Sequence, residues 1–368
     1  MKHDESVAGW MQRIDWLLLA LVFAISTLGV YNLHSAAASS AQSFHLAQML
    51  WFLLGGVLMA LIALVDTRIF ARWCYVFYGA VILLLIAVMF FGTELNGSQR
   101  WLNLGVFLMQ PSELLKIAVI LVTARYFQDR GQDEGYSLRQ LLMLFAIVGG
   151  GVVFVLKQPD LGTSMIILAI FMTMVLFEGV RSTTLVSLVV AAMIALPLAW
   201  TFGLKSYQKD RIVAMFDLDA DRQGQAWQVR QSIIAFGSGQ AWGKGQFEGT
   251  QIQKGFVPEH ENDFIAASWG EERGFIGMLF LLGLYLALIG WALRIARYAR
   301  DRFGVQVGVG VAALFFWHVF VNIAMVTGLL PVVGLTLPLM SYGGSSLLTM
   351  LAGIGLLLNV SMRKGPMG

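Results

Sequence analysis

Apolar runs of close to twenty residues return ten times along this chain of 368 residues, and they leave few ways to fold. A helix needs about 20 apolar residues to cross a bilayer core. The runs cover approximately 14–34, 46–65, 73–91, 112–127, 138–156, 162–178, 183–203, 264–292, 304–328 and 343–361. In lipid every backbone polar group must be satisfied within the protein, so runs of this length become helices. Composition agrees. Charged residues make up 13% and hydrophobic ones 58%, with a mean hydropathy of +0.72. Soluble domains carry about 25% charged residues. Too few remain here to coat a soluble body, and disordered chains are poor in apolar residues. Cys74, the single cysteine, rules out a disulfide scaffold and any CxxC site. The fold class expected is an all-α polytopic membrane protein of about ten transmembrane helices, with 1–368 as one domain. The first run is too long for a secretory signal, and no small-residue cleavage site follows it convincingly.

Lysine and arginine orient the spans. With the N-terminus inside, the inner segments hold Lys2, Arg13, Arg68, Arg72, Arg125, Arg130, Arg139, Arg181, Arg294, Arg297, Arg300, Arg302, Arg363 and Lys364. The short outer loops hold only Arg100 and Lys157. Both termini are therefore expected in the cytoplasm, and the long segment at about 204–262 outside. That segment balances seven basic against seven acidic residues. Within it Ala226, Val229, Ile233 and Phe236 recur at helical spacing. They predict a short amphipathic helix ending at Gly237 and lying on the outer membrane surface. A net charge of +3 is small, and nucleic acid is not an expected partner.

Polar motifs gather where the even-numbered spans begin, on the outer side. Gln110-Pro111-Ser112-Glu113 opens the fourth span, and Gln158-Pro159-Asp160-Leu161-Gly162-Thr163-Ser164 the sixth. Pro258-Glu259-His260-Glu261-Asn262-Asp263 precedes the eighth, and Ser341-Tyr342-Gly343-Gly344-Ser345-Ser346 opens the tenth. Helix N-termini offer free N–H groups and partial positive charge, which suits phosphate. Each motif alone is also an ordinary helix start with proline or a polar cap.

Glu113 and Lys116 lie three apart on one helix face inside a span, where ionisable groups are costly and default to functional candidates. A structural ion pair between helices is the equal alternative. The same division applies to Glu271, Glu272 and Arg273. Asn96-Gly97-Ser98-Gln99-Arg100-Trp101 forms a polar outer loop in which Arg100 could meet an anion and Trp101 a lipid or sugar face. Interfacial tryptophan is more often a simple anchor. The Gly239–Gly245 stretch imitates a phosphate loop but lacks the Ser/Thr after Lys244 and the first glycine at the right offset. His318 reads as a packed or bundle-facing residue, and the five histidines show no metal spacing.

Taken together, these motifs carry a resemblance. Gly97-Ser98-Gln99-Arg100-Trp101, Gln110-Pro111-Ser112-Glu113 with Lys116, and Gln158-Pro159-Asp160-Leu161-Gly162-Thr163 come first. Gly237-Ser238-Gly239, Gly243-Lys244-Gly245, Pro258-Glu259 with Asp263-Phe264, and Glu271-Glu272 follow. Leu330-Pro331-Val332-Val333-Gly334 and Ser341-Tyr342-Gly343-Gly344-Ser345-Ser346 complete the order. The chain resembles the SEDS family of bacterial cell-wall proteins, which includes RodA and FtsW, and looks nearer the RodA branch. The resemblance implies a multi-pass protein of the bacterial inner membrane that polymerises lipid II into peptidoglycan strands for cell elongation and rod shape. It implies a class B penicillin-binding protein, a transpeptidase, as partner, with other elongation-complex proteins beside it. Asp263 occupies the position of the family's essential aspartate. The family often has His-Thr directly before it, whereas this chain has Glu261-Asn262, with His260 one place earlier.

The implied chemistry makes demands on side chains. A hydroxyl of one sugar lipid attacks the anomeric carbon of another and displaces undecaprenyl pyrophosphate. An α-linked donor and a β-linked product mean one inverting displacement, which needs a base and cations for the leaving group. Asp263 is the best base, since Glu259, Glu261 and partial burial would raise its pKa. Its alternative role is an N-cap of the eighth span. Arg100, Lys116 and Lys244 are candidates for the pyrophosphate, with Trp101, Glu113, Asp160, Glu259 and Ser341 in support. No organic cofactor is expected; a divalent cation, Mg or Mn, could share the pyrophosphate. Two other functions compete: a lipid II flippase, which would place its site near the midplane, and a non-catalytic scaffold, which would not need Asp263.

Overall fold

The structure is a computed structural model that describes residues 13–38, 43–95, 98–103, 105, 107–132, 134–216 and 225–363. Lys2 and Lys364 of the charge count, Asn96 and Gly97 of the outer-loop motif, and part of the 204–262 segment lie outside the described residues. Ten long helices coincide with the ten apolar runs: α1 (Trp16–Ala36), α2 (Phe44–Leu64), α3 (Thr67–Phe91), α4 (Pro111–Asp129), α5 (Leu138–Lys157), α6 (Leu161–Glu178), α7 (Ser182–Leu198, continued by a wider turn over Ala199–Gly203), α11 (Ile265–Arg297), α12 (Arg302–Val326) and α13 (Gly344–Met362). Three short helices, α8 (Ser206–Phe216), α9 (Gln225–Ser238) and α10 (Thr250–Gln253), occupy the long segment.

The helix starts follow local chemistry. Asp15, Asp66, Asp160 and Asp301 each accept a hydrogen bond from a backbone N–H of the first turn that follows. Pro111 opens α4, and Ser137 with Gln140 forms a capping box at α5. Among the described residues nine helices are long and apolar enough to cross a membrane. The exception is α4, which carries Glu113, Lys116, Arg125 and Asp129. It is buried along nearly its whole length, so protein rather than lipid surrounds its charges. Helices α3, α6, α12 and α13 pack around it. On the periphery, Phe23, Leu53, Leu83, Phe90, Phe91, Leu196 and Phe202 point outward. Apolar exposure on this scale suits a surface facing lipid. Close approach of α2 and α13 depends on small residues: a Cβ on Gly55 would lie 2.3 Å from Leu351 Cδ1, and one on Gly355 2.8 Å from the Met59 carbonyl.

Three differences from the sequence reading matter for the site. The polar outer loop folds as a small antiparallel sheet, β1 (Thr93–Leu95), β2 (Ser98–Asn103) and β3 (Leu108–Met109), in that order. Its strands are too short to show an alternating pattern. Helix α9 forms where the periodicity predicts it, but its apolar face rests on protein rather than on the membrane surface. Ser232 Oγ donates to the Val326 carbonyl at 2.8 Å, while Val229 and Ile233 close on Gly328, and Phe236 on Gly270.

The third difference lies in α11, which is broken at Gly274 (φ 65, ψ −165). Only the part after the break, about 34 Å long at 1.5 Å per residue, is free of charge until its far end. Glu271, Glu272 and Arg273, expected inside the eighth span, sit before the break. A broken helix leaves carbonyls and N–H groups without partners, and the glycine-rich loop supplies them. Lys244 N and Gly245 N donate to the Glu271 and Glu272 carbonyls at 3.0 and 3.1 Å. Phe275 N and Ile276 N donate to the carbonyls of Gln240 and Ala241 at 2.8 and 3.1 Å. The Gly239–Gly245 stretch is therefore a backbone plug. A Cβ on Gly274 would meet Gly243 N at 2.4 Å. Gly274→Ala should thus lower the unfolding free energy by more than about 1 kcal/mol, read as a drop in thermal midpoint in detergent. Gly283→Ala, further along α11 with open space at its Cβ, should be neutral or stabilising by under about 1 kcal/mol.

Candidate active site

Asp263 sits on the turn that leads into α11. Asn262 N and Phe264 N both donate to the Glu259 carbonyl, at 3.1 and 3.2 Å. Asn322 Nδ2, from α12, donates to the Asp263 carbonyl at 2.9 Å and to the Leu335 carbonyl at 2.6 Å. Tyr342 N donates to the Glu261 carbonyl at 2.9 Å. The turn is thereby tied to α12 and to the loop that runs from Pro331 to Gly343. Its backbone is held at several points, yet among the described residues nothing hydrogen-bonds to the Asp263 carboxylate. The N-cap alternative does not hold, because Phe264 caps α11 and no side chain caps it.

Asp263 is half-buried. Burial penalises its charged form, and the carboxylates of Glu259, Asp160 and Glu261 add to that effect against the opposing charge of Arg211. The carboxyl is pushed up from 3.8 to about 7. A half-buried carboxylate with no donor among the described residues and a pKa near neutrality can take a proton from a substrate hydroxyl.

The polar helix starts converge here. Asp160 caps α6 through Thr163 N at 3.1 Å and accepts from Gln110 Nε2 at 3.0 Å. Arg100, on β2, donates to the carbonyls of Gln158 and Pro159 and lies 3.9 Å from the Asp160 carboxylate. Gln110 N donates to Ser345 Oγ at 3.2 Å, which joins the starts of α4 and α13. A Cβ on Gly162 would fall 2.4 Å from the Val333 carbonyl, and one on Gly334 3.5 Å from Asp263 Oδ2. So Asp160 at the start of α6 and the 331–343 loop lie near Asp263, and β2 and the start of α4 are joined to Asp160.

Other predicted residues have different places. Ser341 Oγ accepts from Leu337 N at 2.7 Å and its carbonyl from Gln48 Nε2 at 2.9 Å, so it shapes the loop before α13. Glu259 is exposed on the Asp263 turn and accepts from Asn262 Nδ2 at 2.8 Å. Trp101 is half-buried in β2, paired with Thr93. His260 Nδ1 donates to the Val257 carbonyl at 2.7 Å, within its own turn. Lys244 Nζ is engaged by Glu271 at 2.6 Å, away from the Asp263 carboxylate. Lys116 is fully buried in the bundle; its Nζ donates to Glu113 Oε1 at 2.6 Å and to His318 Nε2 at 2.9 Å. His318 Nδ1 donates to the Leu314 carbonyl at 2.8 Å, which leaves Nε2 as the acceptor for the lysine. Lys116 cannot touch a pyrophosphate from there.

Asn322 and Arg211 escaped the sequence reading. Asn322 is an amide deep in an apolar span, a signal that intramembrane polarity carries function or fixed contacts. Arg211, whose Nη1 donates to the Val332 carbonyl at 3.3 Å, had no signal to separate it from the other basic residues of its segment. Among the described residues no three His, Cys, Asp or Glu side chains gather to hold a metal.

Removing one partner of a buried pair leaves the other charge uncompensated, at a cost of about 3–5 kcal/mol. Lys116→Met should show that loss as a lowered thermal midpoint, and Glu113→Gln with Lys116→Met together should recover much of it. A double variant no better than the single one would mean that the pair is not the source of the loss.

Comparison with known proteins places this architecture. The family described as Cell cycle protein (FtsW/RodA/SpoVE) matches residues 9–365. The chain is 41% identical over 308 residues to the peptidoglycan glycosyltransferase MrdB of Escherichia coli K12, covering 83% of this chain and 82% of that one. To the peptidoglycan glycosyltransferase MrdB of Helicobacter pylori it is 37% identical over 350 residues, covering 93% and 89%. Among solved structures, the rod shape determining protein RodA of Thermus thermophilus superposes with a TM-score of 0.71 at 29% identity, covering 95% and 97%. A chain from a structure described as the structural coordination of polymerization and crosslinking by a peptidoglycan synthase complex gives 0.82 at 31% identity, again covering 95% and 97%. The helical bundle, its motifs and a match over nearly the full length agree: the chain is a multi-pass membrane protein of the FtsW/RodA/SpoVE family.

Proposed function

We propose that this protein is a peptidoglycan glycosyltransferase of the bacterial inner membrane that polymerises lipid II at its outer face during cell elongation. The observation that carries the reading is the Asp263 carboxylate, without a hydrogen-bond donor among the described residues and raised to about 7, beside the converging helix starts. Relatives named as peptidoglycan glycosyltransferases support it.

In this reading Asp263 accepts the proton of the attacking hydroxyl as its oxygen bonds to the anomeric carbon. The bond from that carbon to the pyrophosphate breaks in the same step, and the electron pair leaves with undecaprenyl pyrophosphate. Arg211 lies within electrostatic reach of Asp263 and Arg100 is joined to Asp160, so both supply positive charge on this side of the bundle. Lys244 and Lys116 support the scaffold rather than the leaving group. A divalent cation, Mg or Mn, would neutralise pyrophosphate charge when bound. Mg sites commonly use only one or two carboxylates plus the substrate phosphates; the exposed Glu259 would supply one, which leaves Asp263 as the base. Cytoplasmic termini, the orientation that the arginine distribution supports, would put the site outside. The proposed partner is a class B penicillin-binding protein, in keeping with the polymerization and crosslinking named for the similar solved chain.

The experiment is polymerisation of lipid II by the purified protein with its partner. Asp263→Asn should abolish glycan strands. Transport without polymerisation by the unaltered protein would instead mark a flippase, and full activity in the variant would remove Asp263 as base. Because the base works deprotonated, kcat/KM should fall as pH drops through about 7. Glu259→Gln removes a neighbouring negative charge, so the fall should move to lower pH; Arg211→Gln should move it higher.

The same shift has a sign for stability. The folded state holds the proton more tightly than the unfolded one, so stability from this group declines as pH rises from about 4 to about 7. Asp263→Asn should therefore be at least as heat-stable as the unaltered protein at pH 8, which separates lost chemistry from lost folding.

A further inference from the structure

The end of the bundle opposite Asp263 contains a cavity of about 400 Å3 between the starts of α3 and α12 and the end of α4. Arg68, Arg72 and Arg125 line it together with Asp129 and Asp301. The two carboxylates are already engaged. Asp129 Oδ2 pairs with Arg125 Nε at 2.9 Å, and Asp301 Oδ1 caps α12 through Gly304 N at 2.8 Å. Arg68 and Arg72, four apart on one face of α3, have no ion pair or side-chain hydrogen bond among the described residues. Ala71, small and buried, leaves the space between them open. The Tyr75 ring stands at the rim, half out of the protein. A cavity with two uncommitted guanidiniums, one acid paired with Arg125 and the other turned to a helix N-terminus, is suited to an anion with several oxygens, such as a phosphate.

The neighbouring strip of the same helix identifies what carries that phosphate. Ile69, Trp73 and Val76 recur at four and three residues and are 50%, 55% and 59% exposed. They form an apolar stripe one residue round the helix from Arg68 and Arg72 and run from the cavity towards the middle of the bilayer. A soluble phosphate compound has no use for that stripe; acyl chains do. The arginine count puts this end on the cytoplasmic side, where anionic lipids attract basic residues. We propose that this cavity binds the phosphate of an anionic glycerophospholipid of the cytoplasmic leaflet, with the acyl chains laid along Ile69, Trp73 and Val76. Such a lipid would brace α3, α4 and α12 at one end, whatever reaction runs at the other.

Native mass spectrometry of the full chain in detergent, titrated with phosphatidylglycerol or with phosphatidylcholine of the same tails, tests this. The unaltered protein should retain phosphatidylglycerol at least tenfold more tightly, and less so as salt rises. Each of Arg68→Gln and Arg72→Gln should weaken it roughly fivefold, the effect of about 1 kcal/mol per basic residue. Arg139→Gln with Arg297→Gln removes as much charge from the same side without touching the cavity and should leave binding unchanged. Phosphatidylglycerol should also raise the thermal midpoint of the unaltered protein and not that of the Arg68→Gln/Arg72→Gln variant. Equal retention by that variant would overturn the proposal. So would competition by glycerol phosphate at the concentration of the lipid itself, since the ligand would then be a soluble phosphate.

Discussion

The outer half of the molecule hangs on one buried carboxylate. Glu271 is wholly inside the protein, where an ionised group is very costly unless its oxygens are filled. Here they are filled from a single direction. Oε1 accepts from Lys244 Nζ at 2.6 Å and Gln251 N at 3.0 Å, and Oε2 from Ile252 N at 3.2 Å. Next to it Glu272 Oε1 accepts from Ser35 Oγ and from Phe247 N, which ties the same point to α1. Two successive residues thus collect a loop on one side and a helix on the other. Their own carbonyls then receive the loop's N–H groups where α11 breaks. Without this node the chain between α9 and α11 would have no reason to return, and the turn with Asp263 would lose its footing.

Buried and half-buried charges in this protein fall into two kinds. Glu271 has both carboxylate oxygens bonded, and Lys116 with its acceptors Glu113 and His318 joins two helices, although Glu113 Oε2 has no partner among the described residues. Asp263 has its backbone carbonyl held and its carboxylate left without a donor among the described residues. A proton-transfer role needs such an open carboxylate, and Asp263 differs from Glu113 in having no cation bonded to it among those residues.

Much of this was legible in the sequence for a simple reason. A run of twenty apolar residues has one solution in lipid, so nine of the ten long helices follow from hydropathy, and helix starts follow from Asp15, Pro111, Ser137 or Asp160. The meeting of the polar helix starts was foreseeable because alternate spans begin on the same side. The role of Asp263 came from resemblance; its local sequence also fits a helix cap. What stayed hidden depends on distance along the chain. The grip of Asn322 on residues 263 and 335 joins three separate segments. The break at Gly274 follows directly on Glu271-Glu272-Arg273, but nothing in that run shows that a loop thirty residues earlier fills it. The small sheet of residues 93–109 has strands too short to alternate visibly.

Helix α7 has a different standing from the rest. Of its side chains only Thr184 is buried, and the candidate span from Ser182 to Gly203 has none of its hydropathy window inside the protein. Lipid therefore surrounds it, and exchanging one lipid neighbour for another costs little. Its position answers to the thickness and packing of the bilayer more than to the bundle. Beyond Gly203 the chain continues directly into α8, which carries Arg211 to the Val332 carbonyl and within electrostatic reach of Asp263. A sideways or tilting movement of α7 is thus a lever on that arginine. An element set by the bilayer leads directly into the one that holds a positive charge near the candidate base.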